Sequence, residues 1–532
     1  MTETGHDDLG MVASAHPSAS RAGCEILEAG GNAFDAAVAV ASALNVVEPY
    51  MSGLAGAGFA TLWVAAEERV RVLDFVPPIP RSFPPQRFTT RAELLSGPSA
   101  VLTPGNLAGW CKLHATYGRL PLREVLAPAI ALAEQGFEFS TFGHVEVTGF
   151  GPAHAAAAGT GEAFAAAFPF YATLQPGDQA RLPMLGATLR QIAEGGADVL
   201  YKGELGKRII AFLAEHGGTL TMDDLASVAP EWREPLSVTY RGLDIHVPPP
   251  PCEGFQFLLT LRLLEGFDVG ALGPQSADHL DLVLRAVRMA AGVRIADNRP
   301  GADKLRAILS EEGVQPLRER LRAGVVVPAP TEQWTSEPPP GADPGHTTSF
   351  SIADREGNLI CITQSLGSVF GSGVAVPGTG VVLNNFLYWA DVQPGSPNRA
   401  APGMPLAMCM SPSISTIGGR PTLALGTPGS YGILQTQPQA MVSHLDFGLE
   451  IQAAIDAPRA RLWDGRLVEI ENRVAPEVFD ALRERGHDAQ PFPTPFTMRV
   501  GGMQAIRRDP GTGRLSGAAD PRRNGAVAVA RR

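Results

Sequence analysis

Residues 346–365 read HTTSFSIADREGNLICITQS and follow directly on a proline-rich segment, residues 324–345. Alternating and β-branched residues predict two strands, 347–353 and 359–365. The polar residues DREGN between them are typical of a turn, so the two strands are expected to form an antiparallel hairpin. The proline-rich segment has two interpretations: a surface connection, or a flexible approach to a point at which the chain is cut.

The first threonine of this hairpin is a candidate nucleophile. A threonine hydroxyl is a poor nucleophile unless a base lies beside it, and one solution is to make Thr the first residue of a chain, so that its own α-amine is the base. Cleavage between His346 and Thr347 would free that amine. A Thr-Thr pair in a strand is by itself more often explained by β-propensity, and both interpretations stay open at this point.

The remaining elements are predicted in blocks of one type. Helical patterns cover residues 19–47, 107–136, 185–217, 275–323, 432–445 and 448–456. Further strands are predicted at residues 60–65, 381–383 and 422–425, and an alanine- and glycine-rich loop at residues 152–168. Runs of strands and blocks of helices favour an α+β layered fold over alternating β-α-β units.

The amino-acid composition excludes several classes of protein. Of the 532 residues 45 % are hydrophobic and 18 % are charged, which is enough apolar material for a large core. The net charge of −11 argues against a surface for nucleic acid or for an anionic membrane. The N-terminus lacks the basic and apolar regions of a signal peptide, and no apolar window is long enough to span a bilayer. We therefore expect a cytoplasmic protein.

The sequence also offers no site for a metal or a nucleotide cofactor. The five cysteines show no CxxC spacing, and the eleven histidines form no HExxH motif. The glycine-rich residues 48–59 lack the lysine of a phosphate-binding loop and lead into a strand. We predict a protein without cofactor or metal.

Several stretches, in order from about residue 11 to residue 527, resemble the γ-glutamyltranspeptidase family. They are AHPSASRAGCEILEAGGNAFDAAVAVASALNVVEPYMSGLAGAGF (15–59), LTPGNLAGW (102–110), YGRLPLREVLAPAIALAEQGF (117–137), TTSFSIADREGNL (347–359), GSVFGSGVAVPGTGVVLNN (367–385), PGSPN (394–398), PGMPLAMCMSPSI (402–414), GTPGS (426–430) and GAADPRRNGA (517–526).

The family belongs to the N-terminal-nucleophile hydrolases. The resemblance implies a four-layer αββα sandwich and a precursor that cuts itself between His346 and Thr347. Residues 1–346 would form the large subunit and residues 347–532 the small subunit, both held in one folded unit, with a higher oligomer left open. The expected partner is a small-molecule amide substrate.

The resemblance also implies the catalytic roles. Thr347 matches the family's nucleophile, and Ser365 falls where the family has a second Thr that hydrogen-bonds it. Gly429 and Ser430 fall at the glycine pair whose backbone N–H groups form the oxyanion hole, a role that a Ser can fill if its backbone angles allow. The implied reaction is attack on an amide, formation of an acyl-enzyme and its resolution by water or an acceptor amine.

Substrate recognition is where this sequence departs from the family. The family's Arg for the glutamyl α-carboxylate and its Asp for the α-amino group are replaced by Val76 and Trp389. Other polar family residues are replaced at Gly367 (Asn), Phe386 (Gln), and Met408 and Cys409 (both Ser). Burying unpaired charge costs several kcal/mol per ion. The pocket therefore favours an acyl group that is more apolar or differently charged than γ-glutamyl, as in the cephalosporin and glutaryl acylases of the same family.

Some alternatives remain. Arg81 is either a displaced cation for the substrate or a solvated surface residue, and Cys409 is better explained as a buried structural cysteine than as a nucleophile. The set Arg285, Arg288 and Arg294 is expected on a helix surface, with ion pairs. The lost recognition residues also permit a non-catalytic binding relative, and only an enzyme of the implied type requires cleavage before Thr347.

Overall fold

Two antiparallel sheets of seven strands each lie at the centre of the molecule. The computed structural model describes residues 2–5, 8–169, 171, 173–324 and 346–532, apart from the side chains of residues 150–154. The strands are β1 (Thr2–Glu3), β2 (Gly10–Ser14), β3 (Ala57–Val64), β4 (Arg69–Asp74), β5 (Phe137–Glu138), β6 (Gln179–Ala180), β7 (Glu231–Arg233), β8 (Leu236–Tyr240), β9 (Leu243–Val247), β10 (His346–Asp354), β11 (Leu359–Gly367), β12 (Ala375–Val376), β13 (Val381–Val382), β14 (Ser413–Ile417), β15 (Arg420–Gly426), β16 (Ala460–Leu462), β17 (Leu467–Ile470), β18 (Asp488–Pro491), β19 (Gln504–Arg508), β20 (Leu515–Ala519) and β21 (Ala526–Ala530).

The strand order interleaves early and late parts of the chain. One sheet has the order β21-β2-β10-β11-β3-β4-β7, and the other has the order β1-β20-β19-β15-β14-β9-β8. Three small sheets, β5-β6, β12-β13 and β16-β17-β18, lie outside this pair. From residue 325 onward the predicted linker lies outside the described residues.

Helices cover the outer faces of the two sheets. They are α1 (Pro17–Glu28), α2 (Ala33–Val47), α3 (Asn106–Tyr117), α4 (Leu122–Val125), α5 (Ala127–Gln135), α6 (Thr141–Ala157), α7 (Gly161–Ala167), α8 (Pro183–Gly195), α9 (Asp198–Tyr201), α10 (Glu204–Glu215), α11 (Met222–Ala226), α12 (Phe255–Leu264), α13 (Ala277–Ala296), α14 (Ala302–Leu309), α15 (Glu311–Arg322), α16 (Ile433–Leu445), α17 (Ile451–Asp456) and α18 (Pro476–Glu484).

The packing confirms the predicted four-layer αββα sandwich. Helices α1 and α2 contact β2, β10 and β11, whereas α12, α16 and α17 contact β8, β15 and β20 of the other sheet. Between the sheets, β10 and β11 pack on β19 and β15. Side chains from both sheets form a buried apolar cluster there, which includes Met11, Trp63, Cys361, Ile414, Ala424 and Ile506.

The first helical pair shows why the chain turns where it does. Gly30 has a φ of 94°, a conformation that ends α1 at low cost only for glycine. Asn32 then caps α2, because its side chain accepts from the N–H of Asp35 while Asp35 bonds back to the N–H of Asn32. Every residue of α2 is buried, as its small side chains predict. This helix therefore supports the centre of the sheet that carries β10 and β11.

The predicted hairpin is confirmed and is longer by one or two residues at its ends. Strands β10 and β11 pair antiparallel, with Thr347 opposite Ser365, and both strands are buried along their whole length. The carboxylate of Asp354 closes the turn, since it accepts from the backbone N–H groups of Glu356 and Asn358 at 3.0 Å. It also accepts from the N–H of Ala33 at 2.9 Å, which ties the turn to the start of α2.

Two sequence-based expectations were wrong. Residues 152–168 are not a loop: α6 runs through residue 157 and α7 follows from residue 161, since alanine-rich sequence favours helix. The helix α13 does not present its arginines to solvent, because α12, α15 and α18 pack around it. The arginines that are buried instead are Arg285, Arg288 and Arg294.

The ion pairs expected of these arginines do exist in part. Arg285 lies 2.9 Å from Asp281, and Arg294 lies 3.2 Å from Glu253. Burial lowers the pKa of Arg288 to about 10, and its guanidinium donates to the carbonyl of Gly465. Among the described residues, no helix is both long enough and apolar enough to cross a bilayer.

Candidate active site

Thr347 lies at the start of β10 in a hydrogen-bond network with its own preceding peptide. Its hydroxyl donates to Ser365 Oγ at 3.1 Å, and Ser365 Oγ in turn donates to the carbonyl oxygen of His346 at 2.5 Å. The backbone N–H of Gly367 also donates to Ser365 Oγ, at 2.8 Å. The register of β10 against β11 shifts between His346 and Thr347, so the peptide that joins them sits in a bulge.

Buried charges surround this peptide on the helix side. Arg523 donates to the carbonyl of Thr347 at 2.8 Å and to Glu48 Oε2 at 2.7 Å. Thr348 donates to the same Glu48 oxygen at 3.4 Å. Burial raises the pKa of Glu48, and the neighbouring Arg523 guanidinium opposes that rise. Burial, helped by the charge of Arg523, lowers the pKa of His16 to about 4.

Gly429 and Ser430 form the turn that leads from β15 into α16. Gly429 has a φ of 126° and Ser430 a φ of 57°, so a non-glycine residue is held in the left-handed region. The hydroxyl of Ser430 is buried and has no hydrogen-bond partner among the described residues. A helix N-terminus carries partial positive charge, which suits backbone N–H groups that face an anion.

Neighbouring residues lie on two sides of this turn. On one side, a Cβ placed on Gly429 would lie 3.3 Å from Gly501 Cα, and one placed on Gly502 would lie 2.6 Å from the Cδ of Arg523. On the other side, the ring of Tyr431 lies 5.4 Å from that of Trp389. The turn therefore packs against Gly501, and the residue after it packs against the ring of Trp389.

Most of the predicted pocket residues come together in one apolar cluster, here called the Trp389 cluster. Phe386, Trp389, Met408 and Cys409 are buried members of it, and Val76 packs against it. Other members include Phe59, Ile79, Phe83, Tyr431 and Leu434. These five residues come from three separate stretches of the sequence and pack together in one buried apolar cluster.

Gly367 and Trp389 are coupled. Gly367 has a φ of 101°, and a Cβ there would lie 2.1 Å from Asn385 Oδ1. The same point lies 3.6 Å from Trp389 Nε1, so the indole occupies the space next to the glycine. The indole nitrogen is buried and has no hydrogen-bond partner among the described residues. An apolar ring thus stands beside the strand end that carries Ser365.

Arg81 lies apart from this arrangement. Its side chain is exposed, and its backbone N–H donates to Asp224 at 2.9 Å. This placement favours the surface interpretation over a displaced substrate cation. Behind the Trp389 cluster, Arg294 lies 4.0 Å from the centroid of Tyr431 and pairs with Glu253, so its charge is already compensated.

Sequence reasoning missed three charged side chains at the site: Glu48, Glu146 and Arg523. Glu48 and Arg523 lie within stretches that carried the family resemblance, VVEPYMSG and DPRRNGA. A lone charge in an otherwise apolar stretch is the signal that would have found Glu48. The contact of His346 Nε2 with Glu146 Oε2, at 2.8 Å, had no such signal, since the residues are 200 apart. Within the described ranges, no three His, Cys, Asp or Glu side chains gather as a metal site.

Comparison with known proteins agrees with this geometry. The profile of the family described as Gamma-glutamyltranspeptidase matches residues 19–530. The chain belongs to the γ-glutamyltranspeptidase family. This γ-glutamyltranspeptidase-family protein is 37 % identical to the Acylase ACY 1 proenzyme of Pseudomonas sp. (strain V22), over 97 % of this chain and 92 % of that protein. It is 29 % identical to the Glutathione hydrolase proenzyme of Bacillus subtilis (strain 168), over 97 % of this chain and 91 % of that protein.

Solved structures of the γ-glutamyltranspeptidase family show the same fold. The cephalosporin acylase from Bacillus halodurans superposes with a TM-score of 0.89 at 30 % identity and covers 99 % of this chain and 97 % of that chain. The Helicobacter pylori gamma-glutamyltranspeptidase has a TM-score of 0.55 at 27 % identity and covers 64 % of this chain and 98 % of that chain. The protein is therefore an N-terminal-nucleophile hydrolase of the type that acts on amides, by hydrolysis or acyl transfer.

Proposed function

We propose that this enzyme cuts itself between His346 and Thr347 and then cleaves small-molecule amides through an ester on Thr347. The observation that carries the proposal is the position of Ser365 Oγ. It accepts from the hydroxyl of Thr347 and donates to the carbonyl oxygen of His346, so nucleophile and scissile carbonyl share one partner. Proenzyme names among the relatives support the same reading. Residues 1–346 and 347–532 become the two subunits.

Turnover uses the amine that the cut releases. Thr347 Oγ attacks the substrate carbonyl while its α-amine accepts the hydroxyl proton. The N–H groups of Gly429 and Ser430 stabilise the oxyanion, and the amine product leaves. Water or an acceptor amine then resolves the ester. Ser365 keeps the nucleophile oriented through its hydrogen bond, and no metal or cofactor is needed for any of these steps.

We further propose that the acyl group is more apolar than γ-glutamyl, as in an acylase. The Trp389 cluster supports this, because Trp389, Met408 and Val76 offer no charge to a zwitterionic amino acid. Desolvating both charges of such a group without partners would cost several kcal/mol per ion. Single hydrogen bonds to the indole N–H would recover only a fraction of that free energy.

Intact mass spectrometry of the freshly purified protein tests the cut. Wild type should give two chains that meet between residues 346 and 347, whereas Thr347→Ala should stay whole. Thr348→Ala is the matched control, because it removes the neighbouring buried hydroxyl and should still be cut. A wild-type chain that stays whole after long incubation would overturn the proposal and favour a binding protein or a blocked precursor.

A panel of p-nitroanilides tests the acyl group. We expect hexanoyl and phenylacetyl anilides to be turned over with at least tenfold higher kcat/KM than γ-glutamyl p-nitroanilide. Glutaryl p-nitroanilide separates a carboxylate-bearing acyl chain from a purely apolar one. A clear preference for the γ-glutamyl compound would show that the α-amino acid is bound by residues other than those of the Trp389 cluster.

A further inference from the structure

The proposed oxyanion donors depend on the orientation of one peptide bond. In a trans peptide the carbonyl of one residue and the N–H of the next point in opposite directions, so the direction of the Gly429 carbonyl determines that of the Ser430 N–H. Both residues are buried, and neither N–H donates to an acceptor among the described residues. Buried backbone N–H groups are rarely left unpaired, so this orientation suits an incoming anion.

The backbone of Ser430 disfavours this orientation. Its φ of 57° lies in the left-handed region, where residues other than glycine are uncommon. A flip of the peptide between Gly429 and Ser430 would move this angle into the extended region that any residue adopts, and Gly429 tolerates the accompanying change because it is a glycine. The flipped peptide would point the Gly429 carbonyl, instead of the Ser430 N–H, at the anion. The active orientation therefore needs a contact that holds it.

Arg461 on β16 makes such a contact. Its Nη1 donates to the carbonyl of Gly429 at 3.0 Å and to the carbonyl of Arg499 at 2.9 Å. The guanidinium is buried and lies 4.4 Å from the ring centroid of Trp463. The N–H of Gly432 donates to the same Gly429 carbonyl at 2.9 Å, but that bond lies within the turn itself. Arg461 instead ties the turn to a separate part of the chain.

From this geometry we infer that Arg461 is a positioning residue, which holds the Gly429–Ser430 peptide in the orientation that stabilises the oxyanion. The inference rests on the proposed function. A flipped peptide would turn the N–H of Ser430 toward the guanidinium, so that two donors would face each other and the bond from Arg461 would be lost. Arg461 thereby compensates for a Ser at a position where the family resemblance places a Gly. It acts through the backbone and does not touch the reacting atoms.

A double-mutant comparison tests this role. Wild type, Arg461→Met, Ser430→Gly and the double variant are compared for the cut and for kcat and KM on the anilide that wild type turns over fastest. We expect Arg461→Met to be cut like wild type, because the carbonyl of His346 accepts from Ser365 and not from this turn. Its kcat should fall at least tenfold with KM within about threefold of wild type, since loss of a single oxyanion donor costs roughly 100- to 1000-fold in kcat. The double variant should have a kcat within about threefold of Ser430→Gly, because a glycine has no preference for the flipped peptide.

The controls separate the possible failures. Arg466→Met removes an exposed arginine that follows β16 and should match wild type. Arg461→Lys keeps a charged donor, should lose less kcat than Arg461→Met, and carries the same comparison if the Met variant does not fold. Wild type that is never cut, or that is cut and turns over none of the anilides, would refute the proposed function itself. Wild type that is cut and active, with an Arg461→Met variant that keeps its kcat, would refute only the positioning role. A loss of kcat that Ser430→Gly does not relieve would also refute it, since a purely structural contact would not depend on the residue at position 430.

Discussion

Ser430 combines two unfavourable features in one residue. Its φ of 57° places a side chain in the left-handed region, which costs roughly 1–2 kcal/mol for a residue other than glycine. Its buried hydroxyl has no partner among the described residues, which adds a desolvation cost. Strain of this kind is concentrated at functional sites, where neighbouring structure maintains it. The turn is held in place by Arg461, which donates to the carbonyl of Gly429 at 3.0 Å.

Replacing this residue by glycine separates its backbone from its side chain. We expect Ser430→Gly to raise the free energy of unfolding by about 1 kcal/mol, since the relief of strain exceeds the added chain entropy. Amide cleavage should stay within about tenfold of wild type, because the proposed oxyanion donors are backbone N–H groups. Urea unfolding in the uncut Thr347→Ala background measures the first effect, and steady-state kinetics of the cut enzyme measure the second. A loss of a hundredfold or more would show that the hydroxyl itself binds the reacting group.

Some features of individual residues could be predicted from the sequence, and others could not. The hairpin that carries Thr347 and Ser365 could be predicted from its local pattern, whereas the contact between the two residues was expected from the family resemblance. The burial of Arg288 could not be predicted, because it depends on α12, α15 and α18, which reach α13 only in the folded chain. The contact of Glu146 with His346 is of the same kind, since no local pattern relates α6 to the start of β10.

At the scale of elements, Asp354 joins the hairpin turn to the start of α2. Its carboxylate accepts from N–H groups in the hairpin turn, from the amide of Asn358 at 2.8 Å, and from the N–H of Ala33 at the start of α2. Burial raises the pKa of this carboxyl, while the bonds from Asn358 and Ala33 oppose the rise. The turn therefore ties the β10–β11 hairpin to the helix layer.

Removing this carboxylate should loosen the hairpin. We expect Asp354→Ala to lower the free energy of unfolding by about 2–3 kcal/mol, because several buried donors lose their acceptor. Asp509→Ala is the matched control: that carboxylate also closes a turn, by accepting from Gly511 and Thr512, but at an exposed hairpin. Its cost should stay below about 1 kcal/mol. Urea unfolding in the Thr347→Ala background compares the two, and equal losses would contradict the role of Asp354 as a junction.

At the scale of the whole molecule, a buried neutral histidine predicts that the folded protein loses stability in acid. Burial lowers the pKa of His279 to about 4, against an ordinary value of 6.5. Between these values the unfolded chain binds a proton that the folded chain does not, so stability falls as pH drops from about 6.5 to 4. The loss is at most about 3 kcal/mol for one such group. His279→Asn keeps an acceptor for the N–H of Gln275, which now bonds Nδ1 at 3.1 Å, and removes the titration. Its stability should depend less steeply on pH, and parallel curves for variant and wild type would contradict the assignment.

The interleaved sheets predict how the two subunits would hold together after the proposed cut. In one sheet β2 lies between β21 and β10, so a strand from residues 1–346 is bonded on both sides by strands from residues 347–532. In the other sheet β14 pairs with β9 and β20 pairs with β1, so this sheet too is built from strands of both parts of the chain. Separating the subunits would therefore expose both sheet edges and the cluster between the sheets, as complete unfolding does.

We accordingly expect the two cut chains to co-elute from a sizing column under native conditions and to separate only in denaturant. Their dissociation and the loss of secondary structure should follow a single transition, because neither part retains a complete sheet. Circular dichroism and sizing chromatography across one urea series test this, with uncut Thr347→Ala as the control. The opposite outcome is that the two chains dissociate at a urea concentration that leaves the circular dichroism unchanged. That result would contradict the idea that the interleaved sheets hold the subunits together. It would indicate that each subunit can keep its strands and helices without the other.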